Sequence, residues 1–268
     1  MIRTALAFIK KDILIMLSYR FNFVIQIVGI LIVVTIIYTL GSLVDSVDIP
    51  FLKPYGGSYF GFLMIGIAFS DYAGISINSF SGNIRDGQLT GTLEIILTSP
   101  TRLFTFLFSS SLWSYIFTTF RLFLYFLVSI FVFKLDIGKI NIPAAFVIFV
   151  LSMLTFIAIG IISASLVLVF KQGDSALRRI GSVSMIVSGV LFPTEYLPSL
   201  LQNISLYLPF TYTYRGLRLS ILQGHSLMLL QGDIAALTGF AIVLMVISSI
   251  AFSYAVKKAK IKGSLAQY

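Results

Sequence analysis

Ala144–Phe170 reads AAFVIFVLSMLTFIAIGIISASLVLVF, 27 residues without a charge. A hydrocarbon core of about 30 Å takes roughly 20 helical residues to cross, so this stretch is long and apolar enough to span a bilayer. Four further stretches read the same way: Phe21–Val44, Tyr59–Phe80 with Asp71 near its middle, Leu103–Phe133 with Arg121, and Ile234–Val256. The composition agrees. The 268 residues are 58% hydrophobic and 11% charged, with a mean hydropathy of +1.00, whereas soluble domains carry about 25% charged residues. A soluble domain and a disordered chain are both excluded. There is no cysteine, hence no disulfide and no cysteine metal site, and the single histidine, His225, rules out a histidine cluster.

Between the fourth and last of these stretches the pattern changes. Ile180–Phe192 is apolar for only 13 residues before Pro193, about 20 Å of helix and short of a full crossing. Leu197–Leu208 and Tyr212–Leu222 follow, punctuated by Pro198 and Pro209. Non-helical backbone at membrane depth is tolerated only where protein or a water-filled cavity satisfies it. The expectation is therefore a short fifth span over 180–193 and two outer re-entrant helices over 194–232. The plainer alternative is an outer loop resting on the bilayer.

The fold expected is an all-α integral membrane protein in a single domain, 1–268, with six spans at 21–44, 59–80, 103–133, 144–170, 180–193 and 234–256. With the N-terminus inside, 13 of the 19 basic residues fall on the inner side. Five fall outside (Lys53, Lys134, Lys139, Arg215 and Arg218), and Arg121 lies within a span. That asymmetry sets both termini in the cytoplasm. The net charge of +9 thus belongs to a membrane face and not to a nucleic-acid surface. Residues 1–20 carry Lys10, Lys11 and Asp12 at their centre, which suits an interfacial amphipathic helix and not a signal peptide.

Catalytic patterns are missing. There is no G-x-x-x-x-G-K-[ST] phosphate loop, no serine–histidine pair within the spans, and no second intramembrane aspartate beside Asp71. Asp71 and Arg121 should each face the bundle interior or water. Counted from the expected inner ends of their spans they stand about 15 Å and 28 Å high. That mismatch argues against a salt bridge and leaves Arg121 to reach toward the outer headgroups.

The segment Ser81–Arg102, SGNIRDGQLTGTLEIILTSPTR, is the most informative connection. Gly87 and Gly91 should break it, Thr92 should cap, and Leu93–Leu97 should form a short helix ended by Pro100. Leu93, Ile96 and Leu97 cannot be buried by so short a helix alone. They need neighbouring spans or a partner protein, and Glu94 adds one directional charge. A passive turn is the alternative.

Arg85–Pro100, RDGQLTGTLEIILTSP, resembles the E-x-x-x-G-T-L-E-x-L-x-x-x-P signature of ABC-2 type transport permeases, with Asp86 in the acidic position. Ser188–Pro198, SGVLFPTEYLP, followed by LPFTY at Leu208–Tyr212 and by Arg215, resembles that family's fifth span and outer helices. The resemblance covers essentially the whole chain. It implies the transmembrane half of an exporter in the plasma or inner membrane, pairing with a second permease subunit. Two ATP-binding cassette ATPase subunits would hold ATP and Mg, with no cofactor on this chain. Arg85, Asp86, Gly87, Gly91, Thr92, Leu93, Glu94, Ile96 and Leu97 would couple to the ATPase, Leu93, Ile96 and Leu97 lying in its groove. Phe192, Pro193, Glu195, Pro198, Pro209, Tyr212 and Arg215 would form the outer motif. Polysaccharide permeases of the superfamily carry an R-Y-K-Q-S-x-L-G-like motif. Tyr19–Phe23, YRFNF, lacks its Lys and Leu-Gly, which is more similar to the drug, antibiotic and lipid-type members. A glycan or teichoic-acid exporter is the alternative, and an ion-coupled transporter or a non-transporting assembly factor lies further off.

Overall fold

The computed structural model describes residues 2–45, 50–98, 103–170 and 173–262. Most of these residues are helical, with no strand among them. In chain order the helices are α1 (Ile2–Ser18), α2 (Arg20–Asp45), α3 (Tyr59–Leu89), α4 (Thr92–Thr98) and α5 (Leu103–Phe131), followed by α6 (Ile142–Phe170), α7 (Gly173–Val187), α8 (Ser199–Ser205), α9 (Pro209–Leu222) and α10 (Gln231–Lys262). Short 3-10 helices lie at Pro50–Tyr55 and Thr194–Tyr196. Among the described residues, α2, α3, α5, α6 and α10 are the helices long and apolar enough to cross a membrane. The chain is an all-α, multi-pass membrane protein.

The packing follows from which helices carry small and polar residues. α3 is the central helix, buried along most of its length against α2, α5, α6 and α9. α6 crosses it at Gly160, where a methyl group would stand 2.0 Å from the Ser76 carbonyl oxygen. No larger residue fits that approach, and such small-residue contacts are how helices pack when lipid is the solvent. α2 and α10 instead turn Ile25, Ile32, Ile36, Val243, Val246 and Ile250 outward, as expected of helices facing acyl chains. α1 lies along α5, with Phe8 edge-on to Phe106 at 5.6 Å.

Three expected boundaries are corrected. The helix of the second span does not stop at Phe80: α3 runs on to Leu89, and Gly87 is a buried residue inside it, not a break. The third helix ends at Phe131, two residues early, because Lys134 takes a left-handed conformation (φ 54°) and turns the chain. The expected fifth span at 180–193 is displaced. α7 starts seven residues earlier, at Gly173, and ends at Val187, so Pro193 meets a chain that has already left the helix. At 15 residues α7 is about 22 Å long and is not among the five crossing helices.

The two helices expected on the outer side form much where the prolines place them. Pro198 precedes α8, and Pro209 is the first residue of α9, the position where a missing N–H costs nothing. α9 is no loop resting on a bilayer: Phe210, Tyr214, Leu217 and Ile221 are buried against α3 and α6. Pro100, Arg102, Lys171 and the side chains of Glu94 and Leu97 lie outside the described residues.

Candidate functional site

The signature segment forms a tight elbow at the end of α3. The Thr90 backbone N–H and hydroxyl both donate to the Asp86 carbonyl, at 3.0 and 2.7 Å. Gly91 then adopts φ 68°, the left-handed conformation that ends many helices and that glycine takes without strain. α4 begins at once. Thr92 is its first residue, and its hydroxyl meets that of Thr90 at 2.9 Å.

Leu93 is fully buried, in a cluster with Ile84, Leu103 and Leu107. A methyl group on Gly87 would touch Leu93 Cβ at 3.5 Å, so the two close against each other. Ile96 is half-buried at the same cluster, while Ile95 is 70% exposed. Leu93 is therefore covered by the chain's own spans, and Ile96 in part. The expectation that a partner's groove holds Leu93 is corrected, because that side chain is already occupied at home. Arg85 and Asp86 lie exposed on the last turns of α3.

From this elbow a polar seam runs along the antiparallel α3–α5 contact. Asn83 Nδ2 donates to the Ser111 hydroxyl at 3.0 Å, and the Tyr115 hydroxyl donates to Ser76 at 2.8 Å. The Tyr72 and Thr119 hydroxyls bond to each other. At the far end Arg121 Nη2 meets Asp71 Oδ2 at 2.8 Å. Arg121 therefore does not reach for the outer headgroups: it pairs with Asp71. The estimated mismatch in height came from ending the second span too soon. Asp71 stands 18 residues above Leu89 and Arg121 18 residues above Leu103, about 27 Å in each case.

At the opposite end, Arg218 on α9 is 2% exposed. Its Nη1 and Nη2 donate to the Gly189 and Val190 carbonyls at 2.7 and 2.8 Å, and its Nε donates to the Phe62 carbonyl at 3.1 Å. The guanidinium also lies 3.4 Å above the Phe62 ring, a cation–π geometry that favours Arg in a dry site. It thus satisfies the carbonyls left open where α7 stops, which is the physical reason the chain can break there. One turn earlier Arg215 grips Asp233 of α10 through Nε at 2.9 Å and Nη2 at 2.5 Å.

Of the outer residues singled out from sequence, Pro193 is buried, while Phe192, Glu195 and Pro198 are exposed. The Glu195 carbonyl accepts from Gln202 Nε2 at 2.5 Å, and the Tyr212 hydroxyl donates to the Leu206 carbonyl at 2.9 Å. These residues gather at one end of the bundle, and those of the elbow at the other. Sequence reasoning missed Arg218 and Asp233. The signal was present: Phe210, Tyr214, Leu217, Arg218 and Ile221 share one helical face, which places an arginine among apolar neighbours.

No curated protein matches the chain. The sequence profile of the ABC-2 type transporter family matches residues 6–222. The match runs from α1 to the last residue of α9 and takes in the elbow, the seam and the Arg218 clasp. Permeases of this family are membrane components without catalysis of their own and generally work with an ATP-binding subunit. With most of its length inside that match, the chain belongs to the ABC-2 type transporter family.

Proposed function

We propose that the chain is the permease subunit of an ATP-driven exporter in the cell membrane, moving a hydrophobic or amphipathic substrate out of the cytoplasm. Both termini and the α3–α4 elbow face the cytoplasm. Two copies, or one copy and a related subunit, surround the pathway, and two ATP-binding cassette subunits carrying ATP and Mg dock beneath them. The observation carrying this reading is the seating of α4: Leu93 locks it to Gly87 of α3, so a push on α4 reaches a spanning helix directly. Ile95 and the exposed end of α3 supply an outward surface there. Asp71 and Arg121, each with 28% of the side chain exposed, are assigned to the pathway face.

The test is co-purification of the ATPase with the Glu94→Arg permease. Loss of the ATPase from a permease that still inserts in the membrane supports the reading. Normal association together with normal substrate-stimulated hydrolysis refutes it.

A further inference from the structure

Where α1 meets α2, the two helices and α5 enclose a cleft of about 250 Å³. One wall is aromatic: Phe23 lies 6.3 Å from both Phe117 and Phe120, and Trp113 stacks on Phe117 at 6.3 Å. The other wall carries Asp12, Asn22 and Gln26. The two amides and the Trp113 indole N–H make no hydrogen bond to any described residue. Asn22 is exposed and Gln26 and Trp113 are half-buried, so these polar groups are open to a ligand.

Asp12 gives the cleft its sign. Its side chain is 16% exposed and is the one carboxylate lining the cavity. Its contact is the neighbouring Lys11 at 3.1 Å, whose own side chain is 56% exposed. A pair so open to solvent is weak and readily exchanged. A carboxylate beside several ring faces is the surrounding that favours a weakly hydrated cation. Phe21, Val24 and Ile25 on the adjoining surface of α2 are exposed, an apolar path along which a hydrocarbon tail attached to that cation can stay in the bilayer.

We propose that this cleft binds the head of a quaternary-nitrogen amphiphile drawn from the leaflet in which α1 lies. This deepens the permease reading, on which it rests for its purpose, by naming a substrate class and the place where it leaves the lipid. Binding itself needs neither ATP nor the ATPase.

Trp113 is the only tryptophan in the chain, so its fluorescence reports occupancy. The purified permease in phosphatidylcholine vesicles is titrated with N-dodecylpyridinium, whose ring quenches indole emission. Saturable quenching is expected. Asp12→Asn should raise its midpoint about fivefold or more, while Asp12→Glu, which keeps the charge, should leave it within about twofold. Dodecyltrimethylammonium should restore the emission and dodecyl sulfate should not. Quenching that rises without saturation and is equal in wild type and Asp12→Asn overturns the proposal, as does equal competition by the sulfate. Normal ATPase association and hydrolysis in the Glu94→Arg test, which refute the permease reading, would leave this titration unchanged, so the two readings fail separately.

Discussion

Asp71 of α3 and Arg121 of α5 stand 2.8 Å apart at the same height in the bundle. The contact is ionic, without the alignment of a hydrogen bond, and Arg121 also lies 3.4 Å from the Tyr125 hydroxyl. An exposed pair contributes roughly 0–1 kcal/mol, and breaking a buried pair costs roughly 3–5 kcal/mol. With about a quarter of each side chain exposed, this one should fall between. Asp71→Asn and Arg121→Gln should each lower the thermal midpoint in detergent and reduce transport. The double variant should recover much of both, and additive losses would show that the two charges act independently.

Arg218 closes the break after α7, and Gly66 makes room for it. A methyl group on Gly66 would lie 2.5 Å from Arg218 Nη2 and 2.7 Å from the Val190 carbonyl oxygen. Arg218→Met removes the donors of the Gly189 and Val190 carbonyls, each worth about 1–3 kcal/mol when left unsatisfied and buried, while the Phe62 carbonyl keeps its place in the α3 ladder. It should be among the most destabilising single changes in the protein, read as a loss of folded yield by size-exclusion chromatography. Gly66→Ala should act in the same direction through overpacking, by about 1–3 kcal/mol.

Arg215 and Asp233 tie α9 to the first turn of α10 by two hydrogen bonds from one guanidinium. Asp233→Ala should loosen the start of α10, and amide exchange over its first turns should rise. Arg215→Lys keeps the charge but loses the fork, so it should give a smaller effect in the same peptides. Unchanged exchange in both variants would make the contact incidental.

Sidedness is open to a direct check with single cysteines and a membrane-impermeant maleimide. Thr90, exposed at the elbow, should label only after the membrane is opened, and Ser226, exposed beyond α9, should label in intact cells. Gly224 is a poor probe, since its φ is 69° and a side chain there would meet the Lys139 carbonyl oxygen at 2.1 Å. Labelling of Thr90→Cys in intact cells would invert the proposed orientation.

Hydropathy made the five long helices legible, because a run of uncharged residues at bilayer length has few other uses. The prolines at 198 and 209 marked α8 and α9 for an equally local reason. α7 was not legible. Asp174, Arg178 and Arg179 interrupt the apolar run, and the carbonyls that let it end at Val187 are satisfied from α9, about 30 residues away. The Asp71–Arg121 pair was misjudged through one error in length: polar residues between Ser81 and Leu89 read as loop, yet they continue α3 beyond the hydrocarbon. Arg218 was counted among outer charges because composition alone cannot tell a solvated arginine from one enclosed by carbonyls.

α3 has 31 residues, about 46 Å of rod where about 30 Å of hydrocarbon must be crossed. Between Asp71 and the seat of Leu93 at Gly87 it holds no non-helical residue. The foot of this rod and its charged middle therefore belong to one rigid body, and in the proposed permease the surplus length would act as a lever arm. A tilt of about 5° about the far end would carry the foot sideways by about 4 Å and Asp71 by less than half of that. Motion imposed at α4 thus arrives at the Asp71–Arg121 contact reduced in distance and increased in force, a gearing fixed by where the helix ends.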